Sequence, residues 1–145
     1  GPSAGVGGSG SYVYANTSPP RRGGTRWSEG DLFTLTYDGS ACSDTGVSVS
    51  TVDFHYHMYG SNMGELRVTN AAGDAVWGLR GDQGDAWQAA SIGVFSASFA
   101  FEYRRGSGFR GDVAVAQVAV SCGAASPPPP PAPPLLPSPL SPPPS

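Results

Sequence analysis

Short segments in which apolar and polar residues alternate are the feature of this sequence that most constrains its fold. The clearest is residues 98–104, where Phe99, Phe101 and Tyr103 occupy every second position. Side chains of a β-strand point alternately to its two faces, so this alternation is typical of a strand with one buried face. Similar β-type runs predict eight strands, over residues 11–16, 32–37, 47–59, 65–69, 75–79, 87–95, 98–104 and 112–122.

Two of these segments depart from simple alternation. Within residues 47–59 the apolar residues change from odd positions (Val47 and Val49) to even positions from Val52 onward. This change of phase predicts a β-bulge or break near Ser50 and Thr51. Residues 112–122 are nearly all apolar, which predicts a strand covered on both faces.

Composition favours strands joined by turns over helices. The chain has 21 glycines, only 13% charged residues and no lysine. Helical bundles need charged outer faces and good helix formers, so a bundle is disfavoured. We therefore predict an all-β protein, an antiparallel β-sandwich without a helix.

Proline divides the chain. Twelve of its 15 prolines lie in residues 127–145. Proline lacks the backbone donor and fixes φ, so this region should form an extended polyproline II rod outside the folded part. The predicted organisation is a flexible glycine-rich start over residues 1–9, a sandwich over residues 10–123 and a proline-rich stalk over residues 124–145.

Charge and hydropathy limit the partners. The formal net charge is −3, which disfavours binding to nucleic acid. No apolar run reaches the roughly 18 residues that span a bilayer, so no direct membrane insertion is predicted.

The two cysteines, Cys42 and Cys122, bear on the compartment. A disulfide between them would close 80 residues (122 − 42) and would stabilise the fold by about 4–5 kcal/mol on the loop-entropy model. Such a bond needs an oxidising compartment, and the glycosylation sequon at Asn16 points the same way. There is no C-x-x-C motif, and no metal site is predicted.

Several motifs suggest chemistry but have simpler interpretations. The G-x-G-x-x-G pattern of residues 106–111 leads into a predicted strand, whereas dinucleotide binding requires a helix there. The R-G-D tripeptides at residues 80–82 and 110–112 are interpreted as turns. His55 and His57 share one strand face and could share a metal ion, but a framework role is favoured.

The tryptophans and the missing catalytic motifs indicate a binding protein. Trp77 and Trp87 are expected in the core, and Trp27 is expected at a surface contact. The alternative is that the three tryptophans form a platform on which sugars stack. The sequence contains no G-x-S-x-G elbow and no H-E-x-x-H helix motif, so no enzyme activity is predicted.

Three blocks of residues resemble the MAM domain, an extracellular adhesion module. Residues 54–60 (FHYHMYG), with Gly64, Leu66 and Val68, resemble the family's F-x-Y-H-M-Y-G…G-x-L-x-V. Trp77 with residues 81–88 (GDQGDAWQ) resembles W…G-x-Q-G-x-x-W. Residues 101–102 (FE) with 105–115 (RGSGFRGDVAV) resemble F-E…R-G-x-G-x-x-G-D-I-A-L. Residues 10–14 (GSYVY) resemble a further family strand, G-x-Y-L-Y, and the order and spacing match over residues 10–123.

This resemblance implies a jelly-roll β-sandwich that mediates protein association, often between like molecules, and that is not a catalyst. The family's opening segment with its first two cysteines is absent. Cys122 fits the final family cysteine, whereas Cys42 lies earlier than its counterpart. An acidic pair that holds a cation in some members is replaced by Ala116 and Gln117. This replacement argues against calcium, and no cofactor is predicted.

The Ser-Pro and poly-Pro runs of the tail resemble hydroxyproline-rich glycoproteins of plant and green-algal walls and surfaces. That resemblance implies a stiff, glycosylated stalk. The predicted glycosylation sites are Asn16, Pro127, Pro128, Pro129, Pro130 and Pro131.

The sequence therefore predicts an extracellular or cell-surface adhesion module in a wall, coat or filament. Its expected partners are extracellular glycoproteins, with other copies of the chain as one option. The predicted contact residues are Arg21, Arg22, Trp27, Arg105 and Phe109, because arginine and aromatic residues are enriched at interfaces. Two alternatives stay open: a carbohydrate-binding jelly-roll module and a purely structural subunit of an extracellular fibre.

Overall fold

Two four-stranded antiparallel sheets make up the fold in the computed structural model, which describes residues 2–8, 11–15, 28–108 and 110–123. The strands are β1 (Val13–Ala15), β2 (Leu32–Tyr37), β3 (Ser48–Met58), β4 (Glu65–Asn70), β5 (Ala75–Arg80), β6 (Gln88–Ser96), β7 (Phe99–Arg104) and β8 (Val113–Gly123). Sheet A has the order β1-β8-β3-β6 and sheet B the order β2-β7-β4-β5. The predicted all-β antiparallel sandwich, consistent with a jelly roll, is confirmed.

Two short helices were not predicted. A 3-10 helix covers Val6–Gly8, and an α-helix, α1, covers Ser40–Ser43. Helices of three or four residues are too short to show a helical period in the sequence, so alternation analysis could not detect them.

The predicted change of phase in β3 is confirmed. The register of β3 against both β6 and β8 shifts between Val49 and Thr51. Val49 is buried before the shift, and Val52, Phe54, Tyr56 and Met58 are buried after it. One additional residue at the bulge thus keeps apolar side chains pointing into the core along the whole strand.

The core lies between the two sheets and is centred on Phe54. Its ring meets Phe101 edge-on at a centroid distance of 5.0 Å and Trp77 at 5.2 Å. Phe54 belongs to sheet A, whereas Phe101 and Trp77 belong to sheet B, so these contacts hold the sheets face to face. Trp77 is half-buried and packs against the core, as expected.

The expectation that residues 112–122 are covered on both faces is wrong for the second half of β8. Residues 113–116 are buried, but residues 117–119, 121 and 122 are exposed. The cause is strand pairing, because β1 pairs only with residues 113–115 and leaves the rest of that edge of β8 without a strand among the described residues.

The predicted disulfide is present and joins Cys42 to Cys122, which lie 80 residues apart in sequence. Cys42 is fully buried in α1, and Cys122 is the penultimate residue of β8. The bond therefore fixes the loop before β3 to the end of β8. Its first cysteine thus lies in a short helix and its second in the last strand.

Two loops at one end of the sandwich are tied together by Tyr103. Its hydroxyl donates to the carbonyl oxygen of Gly111 at 2.7 Å and accepts from the backbone N–H of Gly64 at 2.8 Å. Burial raises the pKa of this phenol above its usual value, so it stays protonated and keeps its donor. The loop after β3 and the loop before β8 thus share one buried hydroxyl.

Glycine is required where these two loops meet. A Cβ at Gly64 would overlap the carbonyl oxygen of Arg104, and a Cβ at Gly106 would overlap that of Asn62. The backbones approach more closely than any side chain would allow, so these positions are fixed by packing.

Replacing both bridging cysteines, as Cys42→Ala with Cys122→Ala, should lower the free energy of unfolding by about 4–5 kcal/mol. The bond no longer restricts the unfolded chain, and urea denaturation measures the change. Ser121→Ala is the matched control, because this neighbouring side chain is exposed and should change stability by less than about 0.5 kcal/mol. Equal stability of the double variant and the native chain would contradict the role given to the disulfide.

Tyr103→Phe should lower the free energy of unfolding by about 1–3 kcal/mol, because it leaves the buried carbonyl of Gly111 and the partly buried N–H of Gly64 without their partner. Urea denaturation again measures the effect. Tyr59→Phe serves as the control, since Tyr59 is 50% exposed. If the two variants lost the same stability, the loops would not depend on the Tyr103 hydroxyl.

Candidate functional site

The outer face of sheet A carries a cluster of aromatic and imidazole rings. Tyr14, Ala114 and His57 are neighbours across β1, β8 and β3. Trp87 directly precedes β6, and its ring meets His57 at 5.6 Å and Tyr12 at 5.7 Å. Ala114 is fully buried, so its small side chain leaves room for the larger rings around it.

His57 is a buried member of this cluster. It is 2% exposed, and its Nε2 lies 2.9 Å from Oδ1 of the exposed Asp85. The Nδ1 atoms of His55 and His57 are both buried without a hydrogen-bond partner. No group of three potential metal-ligating side chains occurs in residues 2–8, 11–15, 28–108 and 110–123. The arrangement of His57 fits the framework role that the sequence favoured.

The N-terminal residues 2–8 reach this face of the sheet. The indole N–H of Trp87 donates to the carbonyl oxygen of Ala4 at 2.9 Å, and the hydroxyl of Tyr12 donates to that of Pro2 at 2.8 Å. The core position expected for Trp87 is therefore wrong. Its role on the outer face could not be predicted, because strand alternation does not say which face carries an isolated residue at a strand boundary.

Beside this cluster lies a shallow pocket of about 330 Å³, lined by both apolar and polar side chains. Its polar side chains are Asp53, His55, Ser91 and Gln117. Gln117 has a φ of +51° where the register of β8 against β3 shifts for a second time. Bulges often redirect a side chain near a binding site, and this one brings the Gln117 amide to the pocket.

The outer face of sheet B carries an ordered row of charges. Glu65 lies 3.1 Å from Arg80 and 3.3 Å from Arg67, and Arg67 lies 2.9 Å from Glu102. The charges of these four residues cancel, so the row presents no strong field to a partner.

The candidate motifs take the structural roles that were favoured for them. Arg80 of the first R-G-D tripeptide pairs with Glu65, and Oδ1 of Asp82 accepts the backbone N–H of Gly84 at 2.9 Å, as in a turn. Gly111, the last glycine of the G-x-G-x-x-G pattern, is followed by β8 rather than by a helix. The helix that dinucleotide binding needs after the glycines is thus replaced by a strand.

One side of the sandwich exposes most of the large apolar side chains that reach solvent. Five of the eight such residues in the described parts of the chain lie on β1, β2 and β8. They are Val13, Tyr14, Leu32, Leu35 and Val118, and we call their location the open side. Two adjoining pockets of about 230 Å³ and 540 Å³ run between the sheets there and share Leu35 and Phe101.

Only one of the five predicted contact residues, Arg105, lies in the described part of the chain. Arg21, Arg22, Trp27 and Phe109 lie outside the described residues, as do the predicted glycosylation sites Asn16 and Pro127 to Pro131. Arg105 is half-buried, and its backbone pairs with Gly30 and Asp31. A binding surface formed by these five residues stays a prediction.

In the described residues, no helix has the length and apolar character needed to cross a membrane.

Comparison with known proteins gives a consistent result. The sequence model of the MAM domain (meprin/A5/mu) matches residues 2–124. MAM domain-containing glycosylphosphatidylinositol anchor protein 1 of Homo sapiens is 32% identical over 123 residues, which cover 79% of this chain and 12% of that protein. Anchor protein 2 of Mus musculus is 31% identical over 136 residues, 85% of this chain and 14% of that protein.

A protein of Acropora millepora that contains MAM and fibronectin type III domains is 37% identical over 71 residues, 48% of this chain and 17% of that protein. The chain thus spans about an eighth of the length of the anchor proteins that it matches. The three sequence blocks, the two-sheet sandwich, the disulfide and the match over residues 2–124 agree, and the chain belongs to the MAM domain family.

Proposed function

We propose that this chain is a non-catalytic interaction module that acts outside the cell, in adhesion or in a surface assembly. The observation that carries the proposal is the match of residues 2–124 to the MAM domain family. Two of the similar proteins are described as glycosylphosphatidylinositol anchor proteins, a class attached to the cell surface. The Cys42–Cys122 disulfide supports the same location, because such bonds persist in oxidising compartments.

The proline-rich residues 124–145 act in this proposal as a stiff, glycosylated stalk. A polyproline II rod extends about 3.1 Å per residue, so it holds the domain away from its attachment. A stiff tether loses little conformational entropy when the domain binds. The module would then meet its partners at a set distance from a wall, coat or filament.

Binding rather than catalysis agrees with the arrangement of side chains. The most enclosed spaces are the apolar pockets of the open side, which are lined mainly by residues such as Phe33, Leu35 and Val120. The pocket around Asp53 and His55 is shallow and holds no nucleophile paired with a base in the described residues.

Beads coated with the full chain should bind extracellular glycoproteins from its native surface far more than uncoated beads do. Alanine at all five predicted contact residues (Arg21, Arg22, Trp27, Arg105 and Phe109) should weaken this binding about tenfold or more, because arginine and aromatic anchors dominate interfaces. Bound glycoprotein on sedimented beads is the quantity measured.

The matched control carries Arg80→Ala with Val76→Ala, both exposed on β5, and should bind like the native chain. Native beads that retain no more glycoprotein than uncoated beads would contradict the interaction function. Normal binding by the five-residue variant would reject only the predicted surface.

Carbohydrate binding is the second candidate, and four polar side chains of the shallow pocket on sheet A favour it. Asp53, His55, Ser91 and Gln117 offer the carboxylate, imidazole, hydroxyl and amide groups that bind sugar hydroxyls. Calorimetry against a panel of wall and surface glycans tests it, and Asp53→Ala should abolish any binding. Heats that Asp53→Ala leaves unchanged, or that never appear, would reject this pocket.

A further inference from the structure

We propose that two copies of this chain associate through the open side, with the second half of β8 in one copy pairing antiparallel with the same segment of the other. This inference rests on the proposed function, since it names one partner and one surface of the interaction module. It is carried by an unpaired strand edge, by the apolar residues around it and by the absence of charge.

The first observation is the unpaired edge of β8. This strand has 11 residues and pairs with β3 along most of its length, but β1 covers only residues 113–115 on the other side. Residues 116–123 therefore present backbone donors and acceptors at the edge of sheet A, and no described strand takes them. Such an edge is a template for pairing with another strand.

The second observation is that no charge protects this edge. Residues 113–123 (VAVAQVAVSCG) contain no charged side chain and no proline, the devices with which proteins usually block edge pairing. The neighbouring edge strand β2 (LFTLTY) is uncharged too. Two copies can therefore approach along this side without like-charge repulsion, although the chain as a whole carries a net charge of −3.

The third observation is the apolar surface beside the edge. Val118 is 44% exposed and Leu35 is 46% exposed. Both line the pocket of about 540 Å³ that opens between the sheets. Exposed apolar patches of this kind mark association surfaces on soluble domains.

The other edge strands lack this combination. β6 is also uncharged, but its large apolar residues Ile92 and Val94 are buried. β5 carries Arg80 at its end and exposes one large apolar side chain, Val76. Only on the open side do a long unpaired edge, neutrality and exposed apolar residues occur together among the described strands.

A second copy fits this surface better than an unrelated strand because the pairing is self-complementary. A two-fold axis beside β8 places the two segments antiparallel, so backbone donors of one edge face acceptors of the other except at the bulge near Gln117. With the axis near Ala119, Val118 of one copy lies beside Val120 of the other. The same axis brings the two β2 edges towards each other, and both sheets continue across the dimer over a joined apolar core.

The full chain should therefore be a dimer in sedimentation equilibrium, and Val118→Glu should weaken its dimerisation about tenfold or more. The two introduced carboxylates would be diagonal neighbours about 7–8 Å apart on one face of the joined sheet, and the loss would come from their desolvation and repulsion. Val76→Glu is the matched control, because Val76 is similarly exposed (37%) on the opposite side of the sandwich, and its dimer should match the native one.

Three results would overturn the proposal: a native chain that stays monomeric at about 100 μM, dimerisation unchanged by Val118→Glu, or equal weakening by both substitutions. The first result would leave the edge of β8 to a strand of another protein, and the other two would place the dimer interface elsewhere.

A second variant keeps the test decisive if Val118→Glu does not fold. Ala119 is exposed and would lie next to its counterpart at the axis, within disulfide reach. Ala119→Cys should then give a covalent dimer on mild oxidation, whereas Val76→Cys should give none. Failure of Ala119→Cys to cross-link above the level of Val76→Cys would also overturn the pairing.

The bead assay separates this inference from the proposed function. Native beads that bind extracellular glycoproteins while the free chain stays monomeric would leave the interaction function intact and reject the β8 dimer. A dimer sensitive to Val118→Glu on beads that bind no surface component would support the pairing and reject the wider adhesion role.

Discussion

The packing of Phe54 between the two sheets is the contact on which the rest of the structure depends. Its ring meets Phe101 and Trp77 of the opposite sheet, and the residue is 1% exposed. Phe54 faces inward only because the bulge between Val49 and Thr51 changes the phase of β3. The loops, the disulfide and the outer-face cluster are all attached to strands that this contact aligns.

Much of the fold could be predicted because alternation is a local property. Residues 32–37 form a strand with the predicted bounds, and the phase change in β3 is visible as Val49 followed by Val52. The exposure of Val118 and the outer position of Trp87 could not be predicted. Both depend on which strands are neighbours in space, and sequence periodicity contains no information on strand order.

Many of the residues that identify the family build the fold. Phe54, Tyr56 and Met58 of the first block are core residues. Tyr103, which lies between the two parts of the third block, links that block's Gly111 to the loop after β3 through its buried hydroxyl. Exposed residues outside these blocks, such as Leu35 and Val118, are not required by the core.

The position of the disulfide has a mechanical consequence. Cys122 is the penultimate residue of β8, and the proline-rich residues follow directly in the sequence. A pulling force applied through those residues would act on Cys122 first. The force would therefore not break the hydrogen bonds between β8 and β3 one after another from the end of β8. The covalent link to Cys42 transfers the load to α1 and the loop before β3. The force is then distributed over both sheets. Reduction of the disulfide would remove this link, and β8 would separate from β3 one hydrogen bond at a time, starting at its C-terminal end.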